Sequence, residues 1–197
     1  MKKSFILFVL FILVSFSIFA ERIVGTDKLE YNQKTQLYHY GNEKEPFTGI
    51  EKAYYEDKSL KYELPYKNGK FDGKAIEYYP SGKIESESFY VNGKLNGKSI
   101  EYYKNGNLKS DGNYKDGKRD GLTKTYFEDG TIRSEIYYKN GELDGLAKEY
   151  YGNGQVYIQE NYKNGELDGE SLNFYKDGKL KGREVYKDGK LIESSVK

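Results

Sequence analysis

Residues 73–94 decide the fold and read Gly73-Lys-Ala-Ile-Glu-Tyr-Tyr79, Pro80-Ser81-Gly82, Lys83-Ile-Glu-Ser-Glu-Ser-Phe-Tyr90 and Val91-Asn92-Gly93-Lys94. Two strand-length segments alternate with glycine turns in this stretch. Asn-Gly or Asp-Gly occupies the turn positions ten times along the chain. That dipeptide accepts positive φ at both central residues, as a two-residue type I′ hairpin turn requires. The stretch therefore predicts β-hairpins closed by two-residue turns at both ends.

The same unit recurs every 24 residues, without insertion or deletion, from Gly49 onward. A unit this short cannot bury an apolar face alone, so its copies must stack on one another. We therefore expect an all-β fold, an elongated open antiparallel β-meander of tandem hairpin repeats with roughly twelve strands. Three sets of structural residues recur at fixed positions of the repeat. They are the glycines Gly49, Gly73, Gly97, Gly121, Gly145 and Gly169, the tyrosines Tyr66, Tyr90, Tyr114, Tyr138, Tyr162 and Tyr186, and the turn glycines from Gly69 to Gly189.

Two-residue turns at Ser81-Gly82 and Asn92-Gly93 would fix the strand register. The expected pairs are Ile84 with Tyr79, Ser86 with Glu77, Tyr90 with Gly73, and Tyr90 with Leu95. Side chains alternate between faces along a strand. One face would then be apolar and carry Gly73, Ala75, Tyr79, Ile84, Ser86, Tyr90 and Leu95, with Ile132 and Val156 at equivalent positions. The other would carry the charged residues Lys83, Glu85, Glu87 and Lys94.

One aromatic column falls on the expected charged face. We name it the aromatic ladder: Tyr54, Tyr78, Tyr102, Tyr126, Tyr150 and Phe174. Its rings recur on every second strand, at a spacing of about 10 Å. Two interpretations stay open. Each ring packs on the stem of a cross-strand neighbour such as Lys109 or Arg133, or the ladder is the candidate ligand-binding site for an extended ligand.

The two ends of the chain depart from the period. Lys2 and Lys3, an apolar run and then Ala20 predict a signal peptide over residues 1–20, with cleavage near Ala20 and an exported protein in the periplasm, cell envelope or medium. An uncleaved membrane anchor is the alternative. Residues 21–48 are expected to form an N-terminal cap or irregular first repeat, residues 49–192 six tandem repeats, and residues 193–197 a polar tail.

Charge and composition exclude several classes of function. Without Lys2 and Lys3 the chain has 30 basic residues against 31 acidic ones, so it lacks the basic excess typical of proteins that bind nucleic acid or strongly anionic membranes. The absence of cysteine excludes disulfides, cysteine-zinc sites and thiol nucleophiles. The 22 tyrosines indicate a thin fold stabilised by rings with polar tips.

Units of the form Tyr-x-Asn-Gly-Lys-x-x-Gly-x-x-x-x-Tyr-Tyr-x-x-Gly resemble MORN repeats, in particular the bacterial variant found in exported proteins and in YwqK-type antitoxin-like proteins. The resemblance implies extended sheets of hairpins that associate with proteins or act as scaffolds near membranes. An antitoxin role conflicts with export, although an immunity protein in the envelope could use this fold. The resemblance is carried by Tyr66, Asn68, Gly69, Gly73, Tyr78, Tyr79, Gly82 and their copies.

Residues that could support catalysis or hold a cofactor or metal are scarce. Gly93 to Ser99 has one residue too few between its glycines for a phosphate-binding loop and lies in a hairpin. The single histidine, His39, cannot build a histidine-rich metal site, and Glu85 and Glu87 are interleaved with lysine on a solvated face. We expect no enzyme activity, no catalytic residue, no cofactor and no metal.

Three functions remain for such a chain. The first is a non-catalytic protein-binding or scaffolding module, with self-association through the apolar face. The second is a glycan-binding or cell-wall-binding module that uses the aromatic ladder on a polysaccharide. The third, a hydrolase, would need a unique acidic cluster on a broken repeat, which the sequence lacks.

Overall fold

The structure, a computed structural model, describes residues 22–196, so the predicted signal peptide lies outside the described residues. The fold is all-β, with one turn of 3₁₀ helix at Thr26–Lys28. The strands are β1 (Ile23–Gly25), β2 (Leu29–Asn32), β3 (Leu37–Tyr40), β4 (Gly49–Tyr54), β5 (Leu60–Lys67), β6 (Lys70–Phe71), β7 (Gly73–Tyr78), β8 (Ile84–Val91), β9 (Lys94–Tyr102), β10 (Leu108–Lys115), β11 (Lys118–Arg119), β12 (Gly121–Tyr126), β13 (Ile132–Lys139), β14 (Glu142–Tyr150), β15 (Val156–Lys163), β16 (Glu166–Phe174), β17 (Leu180–Lys187) and β18 (Lys190–Val196).

Sixteen of these strands form one open sheet that follows chain order from β4 to β18. Neighbours pair antiparallel throughout, except that β1 pairs parallel with β4 at the N-terminal edge. The sheet exceeds the predicted twelve strands by β1, β18 and the two-residue segments β6 and β11, which pair with β5 and β10. The predicted open antiparallel meander is confirmed.

One of the two turns in each repeat has the predicted two-residue form. Asn92 and Gly93 have φ angles of 50° and 82°, and the five equivalent dipeptides have positive φ at both residues as well. Both angles belong to the left-handed region that a type I′ turn needs, and Asn or Asp tolerates it best after glycine. Tyr90 consequently pairs with Leu95 on one side and with Gly73 on the other, as predicted.

The other turn has three residues, so the prediction of two-residue turns at both ends is wrong there. The Gly82 N–H donates to the Tyr79 carbonyl at 2.8 Å, and the Tyr79 N–H donates to the Lys83 carbonyl at 2.8 Å. Only Gly82 has positive φ within this turn. In the next repeat, the Asn105 carboxamide oxygen accepts the Asn107 N–H at 2.9 Å, which holds Asn105 in a right-handed turn conformation.

This three-residue turn is followed by a β-bulge that changes which face several side chains occupy. Ile84 pairs with Tyr78 and Ser86 pairs with Glu77, so Glu85 is an extra residue on β8. Glu85 lines a groove together with Ser86 and Glu77, and Ile84 lies on the face of Tyr78. The predicted pairing of Ile84 with Tyr79 is therefore wrong, and so is the placement of Ile84, Ile132 and Val156 on one face and Glu85 on the other. The register shift recurs in every repeat.

Consecutive repeats are hydrogen-bonded to each other at both edges of the sheet. At the type I′ edge the Gly93 N–H donates to the Phe71 carbonyl at 2.8 Å, and the Asn92 N–H donates to Asp72 Oδ2 at 3.0 Å. At the other edge the Tyr79 hydroxyl donates to the Tyr102 carbonyl at 2.6 Å. These bonds recur with the 24-residue period, so each unit is positioned by its neighbours.

The N-terminal segment covers the first repeat. Phe47 is 1 % exposed and packs with Val24 and Tyr66, while Tyr38, Tyr40 and other apolar side chains surround this cluster. The β2–β3 hairpin forms a separate two-stranded sheet. Away from this cluster the buried side chains are small, such as Ala75, Thr123 and Ser171. Most of the array is therefore a single-layer sheet whose strand pairing and edge bonds replace a deep core.

Candidate functional site

The aromatic ladder lies on a face that is more apolar than the sequence indicated, and we call this the ladder face. Each ladder residue pairs directly with an aliphatic residue of the next strand, as Tyr78 does with Ile84 and Tyr102 with Leu108. Aromatic and aliphatic side chains therefore alternate across twelve strands as one stripe. Its members are Tyr54, Leu60, Tyr78, Ile84, Tyr102, Leu108, Tyr126, Ile132, Tyr150, Val156, Phe174 and Leu180.

The stripe is accessible to solvent. Tyr54 is 59 % exposed, and the other ladder side chains are half-buried. Phe89 and Tyr137, on the same face by strand alternation, are also exposed. This part of the molecule therefore presents aromatic and aliphatic area over several consecutive repeats.

Ion pairs flank the stripe and bind the tips of two ladder tyrosines. Lys52 pairs with Glu63, whose Oε2 accepts the Tyr78 hydroxyl at 3.3 Å. Three repeats further on, Lys124 and Glu135 pair at 2.8 Å, and Glu135 Oε2 accepts the Tyr150 hydroxyl at 2.7 Å. Lys74 with Glu87 and Lys98 with Asp111 form the pairs between them. The ladder face thus combines an apolar stripe with charges of both signs.

These contacts shift pKa values in opposite directions. Desolvation and the hydrogen bond to Glu135 raise the pKa of Tyr150 to about 12. Hydrogen bonds from Lys124 and Tyr150 lower the pKa of Glu135. At neutral pH the phenol is therefore a neutral donor to an ionised carboxylate.

Stability should fall in alkaline solution because several tyrosines are held neutral by the fold. Tyr62 and Tyr150 have pKa values raised from 10.0 to about 12, and burial raises those of Tyr66 and Tyr162 as well. A raised folded pKa contributes stability that is complete below the unfolded value and is lost as pH rises through the folded value. We expect unfolding between pH 10 and about 12, seen as a late phenolate absorbance step that coincides with loss of circular dichroism. Complete phenol ionisation near pH 10 with an intact dichroism spectrum would contradict this.

Lys109 and Arg133 do not lie against the ladder rings, so that part of the packing prediction is wrong. The bulge places them on the opposite face, where Arg133 lies over the Phe127 ring at 5.9 Å and Lys109 Nζ pairs with Glu101 at 3.0 Å. Lys61 and Lys181 lie in the same way over Tyr55 and Tyr175. The ladder rings instead have aliphatic cross-strand neighbours.

The opposite face, which we call the Tyr–Gly face, carries the predicted tyrosine and glycine pairs. Tyr90 pairs with Gly73, and the five equivalent pairs are present. The Tyr66 hydroxyl donates to Glu51 Oε2 at 2.8 Å, and the Tyr62 hydroxyl donates to Oε1 at 3.2 Å. Glu51, only 7 % exposed, is therefore satisfied by two phenols.

His39 belongs to the cap. Its Nδ1 lies 3.3 Å from the Glu43 carbonyl, and Glu43 forms two 2.8 Å hydrogen bonds with the Arg22 guanidinium. Arg22 also lies over the Tyr40 ring at 4.2 Å. The role of Arg22 could not be predicted from the sequence, because residues 22–48 have no repeat with which to compare it. Within residues 22–196 no group of three or more acidic or histidine side chains is placed to hold a metal ion.

A comparison with known protein families identifies the repeat. The MORN repeat variant matches residues 47–68, 71–92, 95–116, 119–140, 143–164 and 167–193, which together are more than half of the chain. The chain therefore belongs to the MORN repeat variant family. Repeats of this family are non-catalytic modules that generally bind proteins or lipids. A comparison with curated proteins gave no match. Among the described residues, no helix has the length and apolar character needed to cross a membrane.

Proposed function

We propose that this chain is a protein-binding scaffold of the cell envelope or the secreted fraction, and that its ladder face is the binding surface. One observation carries the proposal, namely the alternation of aromatic and aliphatic side chains along the stripe. Aromatic side chains are enriched where proteins contact one another, and aliphatic side chains add apolar area to such a contact.

The chemistry of the stripe favours a protein over a polysaccharide. A sugar ring stacks on an aromatic ring, but Leu60, Ile84 and their equivalents offer it no flat surface. A protein partner can bury both kinds of side chain, and the flanking pairs such as Lys52 with Glu63 can contact its polar rim. The self-association predicted through the other face loses support, because Ile84 and its equivalents lie on the ladder face.

Replacing three ladder residues should abolish binding without unfolding the protein. In a Tyr78→Ala/Tyr102→Ala/Tyr126→Ala variant, each half-buried cross-strand contact costs about 1 kcal/mol or less, so the fold should persist. We expect the variant to lose the partner that the parent captures from an envelope extract, as identified by mass spectrometry. Circular dichroism checks the fold.

The matched control removes three exposed tyrosines that lie elsewhere: Tyr31→Ala/Tyr157→Ala/Tyr175→Ala. It should capture the partner as the parent does. Co-sedimentation of the parent with isolated polysaccharide, lost in the ladder variant, would replace the protein-binding proposal with glycan binding. Unchanged capture by the ladder variant would show that the stripe only shields the sheet.

Export is the second part of the proposal and rests on the basic start and apolar run of residues 1–20. Protein recovered from the extracytoplasmic fraction should begin at Glu21 when its N-terminus is sequenced. A full-length species retained in the inner membrane would show that the segment is an uncleaved anchor.

A further inference from the structure

The Tyr–Gly face contains one groove whose charge differs from that of its neighbour. The groove has a volume of about 400 Å³ and opens over the middle of the array. We call it the basic groove and define it by Lys109, Ser110, Arg119, Thr125, Arg133 and Ser134. Glu101 and Glu149 also line it, and Glu101 is paired with Lys109.

The two arginines of the basic groove are positioned by aromatic rings and have no carboxylate partner in the part of the chain that the structure describes. Arg119 Nε donates to the Tyr114 hydroxyl at 3.2 Å, and its guanidinium lies over the Tyr138 ring at 5.3 Å. Arg133 lies over Phe127. Neither guanidinium forms a salt bridge within residues 22–196. Both therefore keep N–H donors available in a preorganised position.

The basic groove arises from departures from the repeat. Arg119 stands where the other repeats have phenylalanine or leucine, such as Leu95 and Leu143. Thr125 replaces the glutamate found at positions 77, 101 and 149. The equivalent groove one repeat earlier contains Glu77, Glu85 and Glu101 against the single cation Lys109. Neighbouring repeats thus carry an acidic groove and a basic groove on the same backbone.

We propose that the basic groove binds the phosphate group of a soluble phosphate ester. Each guanidinium presents paired N–H donors, which match the geometry of phosphate oxygens. Hydroxyl donors lie beside them, because Thr125 and Ser134 are hydrogen-bonded to each other at 2.6 Å and Ser110 lines the same wall. The ligand is a solute and not a lipid surface, since the net charge of the chain near zero gives no attraction to an anionic membrane. This site is independent of the ladder face.

The test titrates inorganic phosphate and glycerol phosphate into the protein by calorimetry at constant ionic strength. The comparison variant is Arg119→Leu/Thr125→Glu/Arg133→Glu, in which each new residue already occurs at the equivalent position of another repeat. We expect phosphate affinity to fall by about tenfold or more while circular dichroism is unchanged. Equal affinity of parent and variant, or no binding by the parent, would overturn the proposal.

A second variant tests the site by building it again. Leu143→Arg/Glu149→Thr/Tyr157→Arg copies Arg119, Thr125 and Arg133 of the basic groove one repeat further on and should add a second phosphate per chain. Glu149 also lines the basic groove, so the quantity to compare is the number of phosphates bound per chain and not the affinity. An unchanged stoichiometry would contradict the proposal. Binding to phosphatidylcholine vesicles that contain phosphatidic acid, without binding of the soluble phosphates, would also contradict it.

Discussion

Deleting twelve residues, Gly97 to Leu108, should unfold the array around the junction. The deletion joins the first residues of β9 to β10 and removes one three-residue turn, so the next type I′ turn, Asp116-Gly117, lies at the opposite edge. The bonds from Gly117 to Leu95 and from Tyr79 to Tyr102 then cannot form. We expect reduced β-sheet circular dichroism and rapid proteolysis near the junction.

Deleting a whole period, Gly97 to Asp120, is the matched control and should leave a folded, shorter protein. Asn96 then precedes Gly121 as Asp120 does in the parent, and each edge bond finds an equivalent partner 24 residues on. Each repeat is stabilised by contacts with its two neighbours, so the array should tolerate the loss of one whole repeat. Equal damage from both deletions would show that the repeats are not interchangeable.

Tyr66→Ala should cause the largest loss of stability among single substitutions, about 3–5 kcal/mol for a truncated buried aromatic. Tyr66 is 4 % exposed, packs on Phe47 and Phe71, and donates a hydrogen bond to the buried Glu51. Its removal leaves a cavity and a carboxylate with one phenol donor instead of two. Hydrogen exchange should show the loss first in β4 and β5, and the melting temperature should fall.

Two control substitutions separate the causes of that loss. Tyr66→Phe keeps the ring and removes only the charge-assisted hydrogen bond, which is worth about 1.5–3 kcal/mol. Tyr54→Ala removes a tyrosine that is 59 % exposed and should change stability by about 0.5 kcal/mol or less. A Tyr66→Ala variant as stable as Tyr54→Ala would refute the placement of the core under the cap.

Features that depend on backbone conformation and period could be predicted from the sequence. The 24-residue spacing predicts the open meander, Asn92-Gly93 predicts a type I′ turn, and that turn fixes the pairing of Tyr90 with Gly73 and Leu95. These predictions succeed because positive φ at two successive residues restricts the backbone to very few turn types.

The second turn could not be predicted because Asn-Gly suits more than one geometry. At Asn105-Gly106 only the glycine has positive φ, since asparagine accepts a backbone N–H in a right-handed turn. A type I turn followed by a left-handed glycine uses the same dipeptide as type I′. One extra residue follows, and it moves Ile84 to the ladder face and Glu85 away from it. The aliphatic residues of the candidate binding surface could therefore be assigned to it only from the structure.

Every repeat carries its stripe residues at the same positions, so the number of repeats sets the length of the stripe. Each repeat contributes two strands, so it extends the surface by about 10 Å in one direction. A relative of this protein with more units would therefore have a longer stripe with the same side chains at the same spacing. Selection could then adjust the reach of the protein in whole steps, by duplicating or losing a segment of the gene, without redesigning any contact.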